Sequence, residues 1–144
     1  MKQFLTLILA ILCSTSIALA TTYTGTTGDC TWTLDTSAGT LVISGSGDMY
    51  DYSSYSDVPW YGYASYITSV TLSSEMTSIG DYAFYGLSNI TSIEIPESVT
   101  TVGTYAFYNC SSITSITCSA ATPPTVDSNY AFYLFFSNTV CYVT

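Results

Sequence analysis

The sequence predicts a β-rich repeat solenoid of about three and a half units behind an N-terminal β-hairpin cap. Three observations predict it: a repeat of about 23 residues, strand-like alternation inside and ahead of the copies, and an apolar, aromatic-rich composition almost without bases. Residues 67–89 (ITSVTLSSEMTSIGDYAFYGLSN) and 90–112 (ITSIEIPESVTTVGTYAFYNCSS) agree at ten of 23 positions, where chance gives roughly one or two. A third copy starts at Ile113 and regains phase at Tyr130-Ala131-Phe132-Tyr133, 25 residues after the preceding YAFY. Two residues are therefore inserted, and the Pro123-Pro124 turn is the expected place. A partial fourth copy sets Cys141 and Val143 against Ile116 and Cys118.

The N-terminus reads as an export signal over residues 1–20. Lys2 supplies a positive start, Phe4 to Leu12 an apolar run too short to span a bilayer, and Ala18-Leu19-Ala20 a small-x-small cleavage site. Leu12 before Cys13 is the wrong residue for lipid attachment at that cysteine. Residues 21–66 follow as the cap. CTWTLD (30–35) and TLVISG (40–45) alternate apolar and polar residues around the turn-forming Thr36-Ser37-Ala38-Gly39, which predicts a hairpin. Leu34, Leu41 and Ile43, with Trp32 and Trp60, are expected to cover the first repeat.

Residues 67–144 form the solenoid. In each unit Ile90, Ile93 and Ile95, or their counterparts, make a strand with alternate side chains inward. Pro96-Glu97-Ser98 turns the chain, Val99 and Val102 return inward, and Gly103 allows a tight bend. Asp81 and Thr104 are placed to N-cap a short helical turn holding YAFY, which stacks Phe84, Phe107 and Phe132 as an inner aromatic column. Val140 to Thr144 is expected as a last strand with a free edge, a site for self-association.

Composition excludes several functions. Lys2 is the only basic side chain, so the chain beyond residue 20 has ten acidic side chains and no Lys, Arg or His. Nucleophilic devices that need imidazole or lysine are unavailable, so no enzyme activity and no cofactor are expected. Nucleic acid is excluded because its binding depends on cations that displace phosphate counterions. Anionic membrane surfaces are excluded likewise, and no membrane insertion is expected after signal cleavage. Only 8% charged residues, 15% aromatics and a mean hydropathy of +0.37 argue against disorder.

Residues 90–112 closely resemble the BspA-type leucine-rich repeat, whose consensus runs like IxxIxIPxSVTxIGxYAFxxCxx. The segment Gly28 to Leu34, then Thr40 to Met49, Pro59-Trp60 and Ile67, is similar to that family's N-terminal cap. The resemblance implies parallel strands with short helical turns, and a secreted or surface protein that adheres to extracellular protein or glycan. A structural matrix or filament subunit, assembling through the free end strand, is the alternative.

The candidate sites follow from the repeat. Outward strand positions Ser69, Thr71, Ser92, Glu94, Ser115 and Thr117 should align as a flat hydroxyl-bearing panel that takes a neutral or basic partner. Tyr82, Tyr105 and Tyr130, with Tyr85, Tyr108 and Tyr133, recur at fixed positions, as half-buried packing rings or as an amphipathic contact surface. Asp48, Asp51 and Asp57 share one loop but lack a calcium-loop pattern and read as solvated acids. Cys110 and Cys118 occupy core positions. Cys30, Cys110, Cys118 and Cys141 are open to buried thiols, to a stretched Cys118–Cys141 bridge or to another pairing, and lack metal-site spacing. Two sequons, at Asn89 and Asn109, would accept glycans in a eukaryotic host.

Overall fold

The computed structural model describes residues 21–133 and the backbone of 140–143. The expected export signal, Cys13 and the Cys141 side chain lie outside the described residues. Strands β1 (Thr22–Thr27), β2 (Cys30–Asp35) and β3 (Thr40–Asp48) run antiparallel. The β2–β3 pair sets Leu34 opposite Leu41, and β1 adds a strand that the sequence reading did not assign. Two short 3₁₀ segments, Tyr55–Asp57 and Tyr61–Tyr66, then lead into the repeats.

Each unit contributes a first strand, a second strand and a turn. The first strands are β4 (Ser69–Leu72), β6 (Ser92–Ile95), β8 (Ser115–Cys118) and β10 (Val140–Val143). The second strands are β5 (Glu75–Ile79), β7 (Thr101–Val102) and β9 (Thr125–Val126). All the repeat pairings are parallel. Strand β3 serves both rows: Thr40–Ile43 pairs with β4, whereas Ser46–Asp48 pairs with β5. Gly45 and Gly47, at φ 105 and 98, let β3 bend between those partners, a conformation that a Cβ strongly disfavours. The rest of the first row is a separate sheet in the order β10–β8–β6, with β10 at its edge. Cys141 faces Ile116 and Val143 faces Cys118, the register read from the repeat.

The core is one continuous cluster. Ile90, Ile93, Ile95, Val99 and Val102 are buried, as are Leu34, Leu41, Ile43, Trp32 and Trp60. Each such side chain contributes on the order of 1.5–3 kcal/mol by leaving water. Phe84, Phe107 and Phe132 stack at 5.2 and 5.3 Å, and Trp60 lies on Phe84 at 6.3 Å.

The YAFY segment is not a helical turn. Alternate amides leave the unit: Tyr82, Phe84 and Gly86 donate to the carbonyls of Thr104, Ala106 and Tyr108 at 2.8–3.0 Å. The amides between them, Ala83, Tyr85 and Leu87, fold back on carbonyls three residues earlier at 3.0–3.3 Å. A helix would spend all these amides internally and leave none for the neighbouring unit. The alternation instead requires left-handed residues, and Tyr82 and Tyr105 adopt φ 59 and 58. The Asp81 carboxylate accepts from the Thr104 amide of the next unit, so it caps its neighbour rather than its own turn.

Two further expectations change. Gly103 is not in the left-handed region; a Cβ there would stand 2.5 Å from Asp81 Oδ1 and 2.6 Å from its amide nitrogen, so close stacking of units demands the glycine. The two inserted residues are also separated. The β7–β9 register, Thr101 opposite Thr125, already shows one extra residue, which lies in the proline turn. The second enters after Val126, because Phe107 donates to the Ala131 carbonyl at 2.7 Å.

Candidate functional site

The first-strand row carries the hydroxyl panel. Residues directly opposite on paired strands share a face. Ser69 stands opposite Thr40, Thr71 opposite Val42, Ser92 opposite Ser115 and Glu94 opposite Thr117. Ser69, Thr71, Ser92 and Glu94 are exposed, while Ser115 and Thr117, beside β10, are half-buried. The panel reaches further into the N-terminal sheet than the repeat alone indicates. Thr33 and Thr24 continue the line of Val42, and Asp35 and Thr22 that of Thr40. The signal was present in TYTGTT and CTWTLD, where threonine occupies every outward position of β2 before Asp35. Hydrogen bonds from the Ser37 hydroxyl and the Ala38 amide hold the Asp35 carboxyl below the usual carboxylate range.

The tyrosines form two stacked columns. Tyr82, Tyr105 and Tyr130 lie 5.0 and 5.3 Å apart. Tyr85, Tyr108 and Tyr133 lie 5.2 and 5.4 Å apart, and Tyr55 extends that column onto Tyr85 at 4.8 Å. Edge contacts such as Tyr105 on Tyr108, at 5.4 Å, join the columns. Both faces of Tyr85 and of Tyr108 are therefore covered by other rings. Sugar stacking on those faces is blocked, and ring edges and hydroxyls are what solvent meets. Burial, followed by the neighbouring phenols, pushes the Tyr85 and Tyr82 hydroxyls upward, which keeps them as protonated donors. Tyr130 and Tyr133, at the far end, are 48% and 47% exposed.

Asp48 and Asp51 of the loop serve as hydrogen-bond acceptors within the fold. Asp48 accepts from the Thr77 hydroxyl at 2.6 Å, and hydroxyls of Thr77 and Ser78 hold its carboxyl low. Asp51 accepts from the Asp81 amide at 3.0 Å. Tyr52 is buried and donates to the Thr27 hydroxyl at 2.9 Å. Among the described residues no group of three or more His, Cys, Asp or Glu side chains could hold a metal ion. Cys30, Cys110 and Cys118 are buried free thiols, so the Cys118–Cys141 bridge is not formed. Cys110 donates to the Phe84 carbonyl at 3.1 Å, and burial pushes its thiol up to about 12. Asn89 and Asn109 are both exposed, and Asn89 donates to the Ser65 carbonyl at 2.8 Å.

The repeated strand–strand–turn unit has a counterpart in known proteins. The family model described as BspA type leucine rich repeat region (6 copies) matches residues 60–141, more than half of the chain. The chain belongs to the BspA-type leucine-rich-repeat family. This BspA-type chain is also similar to a solved leucine-rich repeat protein from Eubacterium ventriosum ATCC 27560, with a TM-score of 0.62 and 26% identity. The match covers 80% of this chain and 36% of the other, so the BspA-type chain spans little more than a third of that relative. No curated protein matches it. The BspA-type family is binding-related and often surface-associated, and its repeat is typically a non-enzymatic scaffold. No helix among the described residues is long and apolar enough to cross a membrane.

Proposed function

We propose that this chain is a secreted or cell-surface adhesive protein that binds an extracellular protein or glycan through the hydroxyl panel. The observation that carries the reading is the panel itself: exposed Ser69, Thr71, Ser92 and Glu94 on rigid strands, extended by the threonines of β1 and β2. A surface already held by a sheet loses little conformational freedom on binding. In this reading residues 21–66 act as the cap, and residues 67–144 supply about three and a half units. The test is retention of the exported protein on extracellular and surface fractions. Binding lost in a folded Thr71→Arg/Thr117→Arg variant supports the panel; full retention moves the site to the tyrosine columns. Mass spectrometry of the exported protein should give Thr21 as its first residue, and an intact Met1 would overturn secretion by signal cleavage.

The edge position of β10 favours a second reading, a matrix or filament subunit that assembles edge to edge. Fibres that grow with concentration, seen by sedimentation and electron microscopy, would favour it over the adhesin.

A further inference from the structure

The panel is interrupted at one seam, and the seam has a cause in the sequence. At the end of the β6–β8 pair, Ser119 donates its amide to the Ile95 carbonyl at 3.1 Å. One unit earlier the corresponding residues are Pro96 and Leu72. Proline has no amide to donate, and β4 pairs with β3 alone. A groove of about 400 Å³ opens along this seam. Val70, Leu72 and Pro96 give it a half-buried apolar lining, and Glu94 and Glu97 stand exposed around it. The Ser119 hydroxyl donates to Glu94 Oε1 at 3.2 Å and tethers that carboxylate. No basic side chain lies beyond Lys2, so no Lys, Arg or His of the exported chain can pair with either glutamate.

An apolar lining beside two unpaired carboxylates matches one kind of side chain. Lysine and arginine lay methylene stems on apolar surface while the charged head stays at the wet edge. We propose that this groove binds a lysine or arginine side chain carried on an extended segment of a protein partner. The stem lies against Val70, Leu72 and Pro96, and the head sits between Glu94 and Glu97. The proposal rests on the adhesive reading and narrows its partner to a protein with an exposed basic side chain. The acidic character of the whole chain draws such a partner in, and the groove gives it a fixed place.

The experiment is fluorescence anisotropy on the exported protein with two labelled nonapeptides of Thr and Leu. One carries a central arginine and the other citrulline, its neutral isostere. The arginine peptide should bind saturably and the citrulline peptide about tenfold more weakly. Glu94→Gln/Glu97→Gln, checked for folding by circular dichroism, should weaken the arginine peptide by a similar factor. Asp57→Asn/Asp127→Asn removes the same charge from exposed positions outside the groove and should leave binding unchanged. No binding by the wild type, equal binding of both peptides, full binding by the glutamine variant, or equal loss in the control would each overturn the proposal. The two readings fail separately. Peptide binding without retention on any extracellular fraction removes adhesion and leaves the groove. Retention that the arginine variant loses and the glutamine variant keeps removes the groove and leaves adhesion.

Discussion

The indole N–H of Trp60 donates to the Ala83 carbonyl at 2.8 Å, where later units present a backbone amide. Phe84 makes that donation to Ala106, and Phe107 to Ala131, at 2.8 and 2.7 Å. One side chain thus supplies both things a preceding unit would give the first one, a ring on Phe84 and a donor to Ala83. The solenoid can begin there without a further turn.

Trp60→Phe should keep the ring and lose the donor. Leaving the buried Ala83 carbonyl unsatisfied costs about 1–3 kcal/mol, and Trp60→Ala should cost about 3–5 kcal/mol. Urea denaturation measures both, and a phenylalanine variant as stable as the wild type would show that the indole donor is dispensable.

Phe107 and Tyr108 are neighbours with different exposure. Phe107 is fully buried between Phe84 and Phe132, so Phe107→Ala should cost about 3–5 kcal/mol. Tyr108 is half-buried, and Tyr108→Ala should cost clearly less in the same urea titration.

Gly103 and Gly62 separate close approach from chain entropy. A Cβ at Gly103 meets Asp81 backbone and side chain, so Gly103→Ala should cost about 1–3 kcal/mol. Nothing lies within 4 Å of a Cβ at Gly62. Gly62→Ala should instead stabilise by about 0.4–1 kcal/mol through the unfolded chain. Thermal melts of the two variants should move in opposite directions.

Asp81 and Asp48 respond to pH with opposite signs. Burial, aided by Asp51 and Asp127, raises the Asp81 carboxyl above its ordinary 3.8 despite the Thr104 amide. Its contribution to stability is fully present below 3.8 and is lost as pH rises through the raised value. Asp81→Asn should therefore melt higher than wild type at about pH 7, with the advantage gone near pH 3. Hydroxyls lower the Asp48 carboxyl, so its contribution is present above 3.8 and lost on further acidification. Asp48→Asn should melt lower than wild type near neutral pH.

The periodic parts of the fold were legible in the sequence, because stacking forces equivalent residues into equivalent places. The strand register through β10 and the phenylalanine and tyrosine columns follow from the 23-residue step once the last copy is shifted to 25 residues. The YAFY backbone did not, since Asp or Thr before an apolar segment signals a helix start whether or not neighbouring units claim the amides. The left-handed Tyr82 and Tyr105 carry no marker; tyrosine is not a residue that pattern reading assigns to positive φ. Gly103 was legible as a constraint, but only three dimensions show that Asp81 imposes it. Of the candidate site, the six panel residues were readable from alternation. Alternation marks Thr24 and Thr33 as outward too, but their place in the same panel depends on β1 and β2 joining the sheet of β3 and β4. Pro96 was visible as a turn residue, but its effect on the sheet appears only beside Ser119.

Every described sulfur and both indoles lie inside: Cys30, Cys110, Cys118, Met49, Met76, Trp32 and Trp60 are all buried. Oxygen, peroxide and hypohalous oxidants attack thiols and thioethers readily when they can reach them. Here burial keeps them out of reach. A methionine sulfoxide would force a polar group into a core without space for it, and burial withholds both described thioethers from that damage. Resistance of these groups to oxidation therefore comes from packing alone, with no disulfide among the described cysteines.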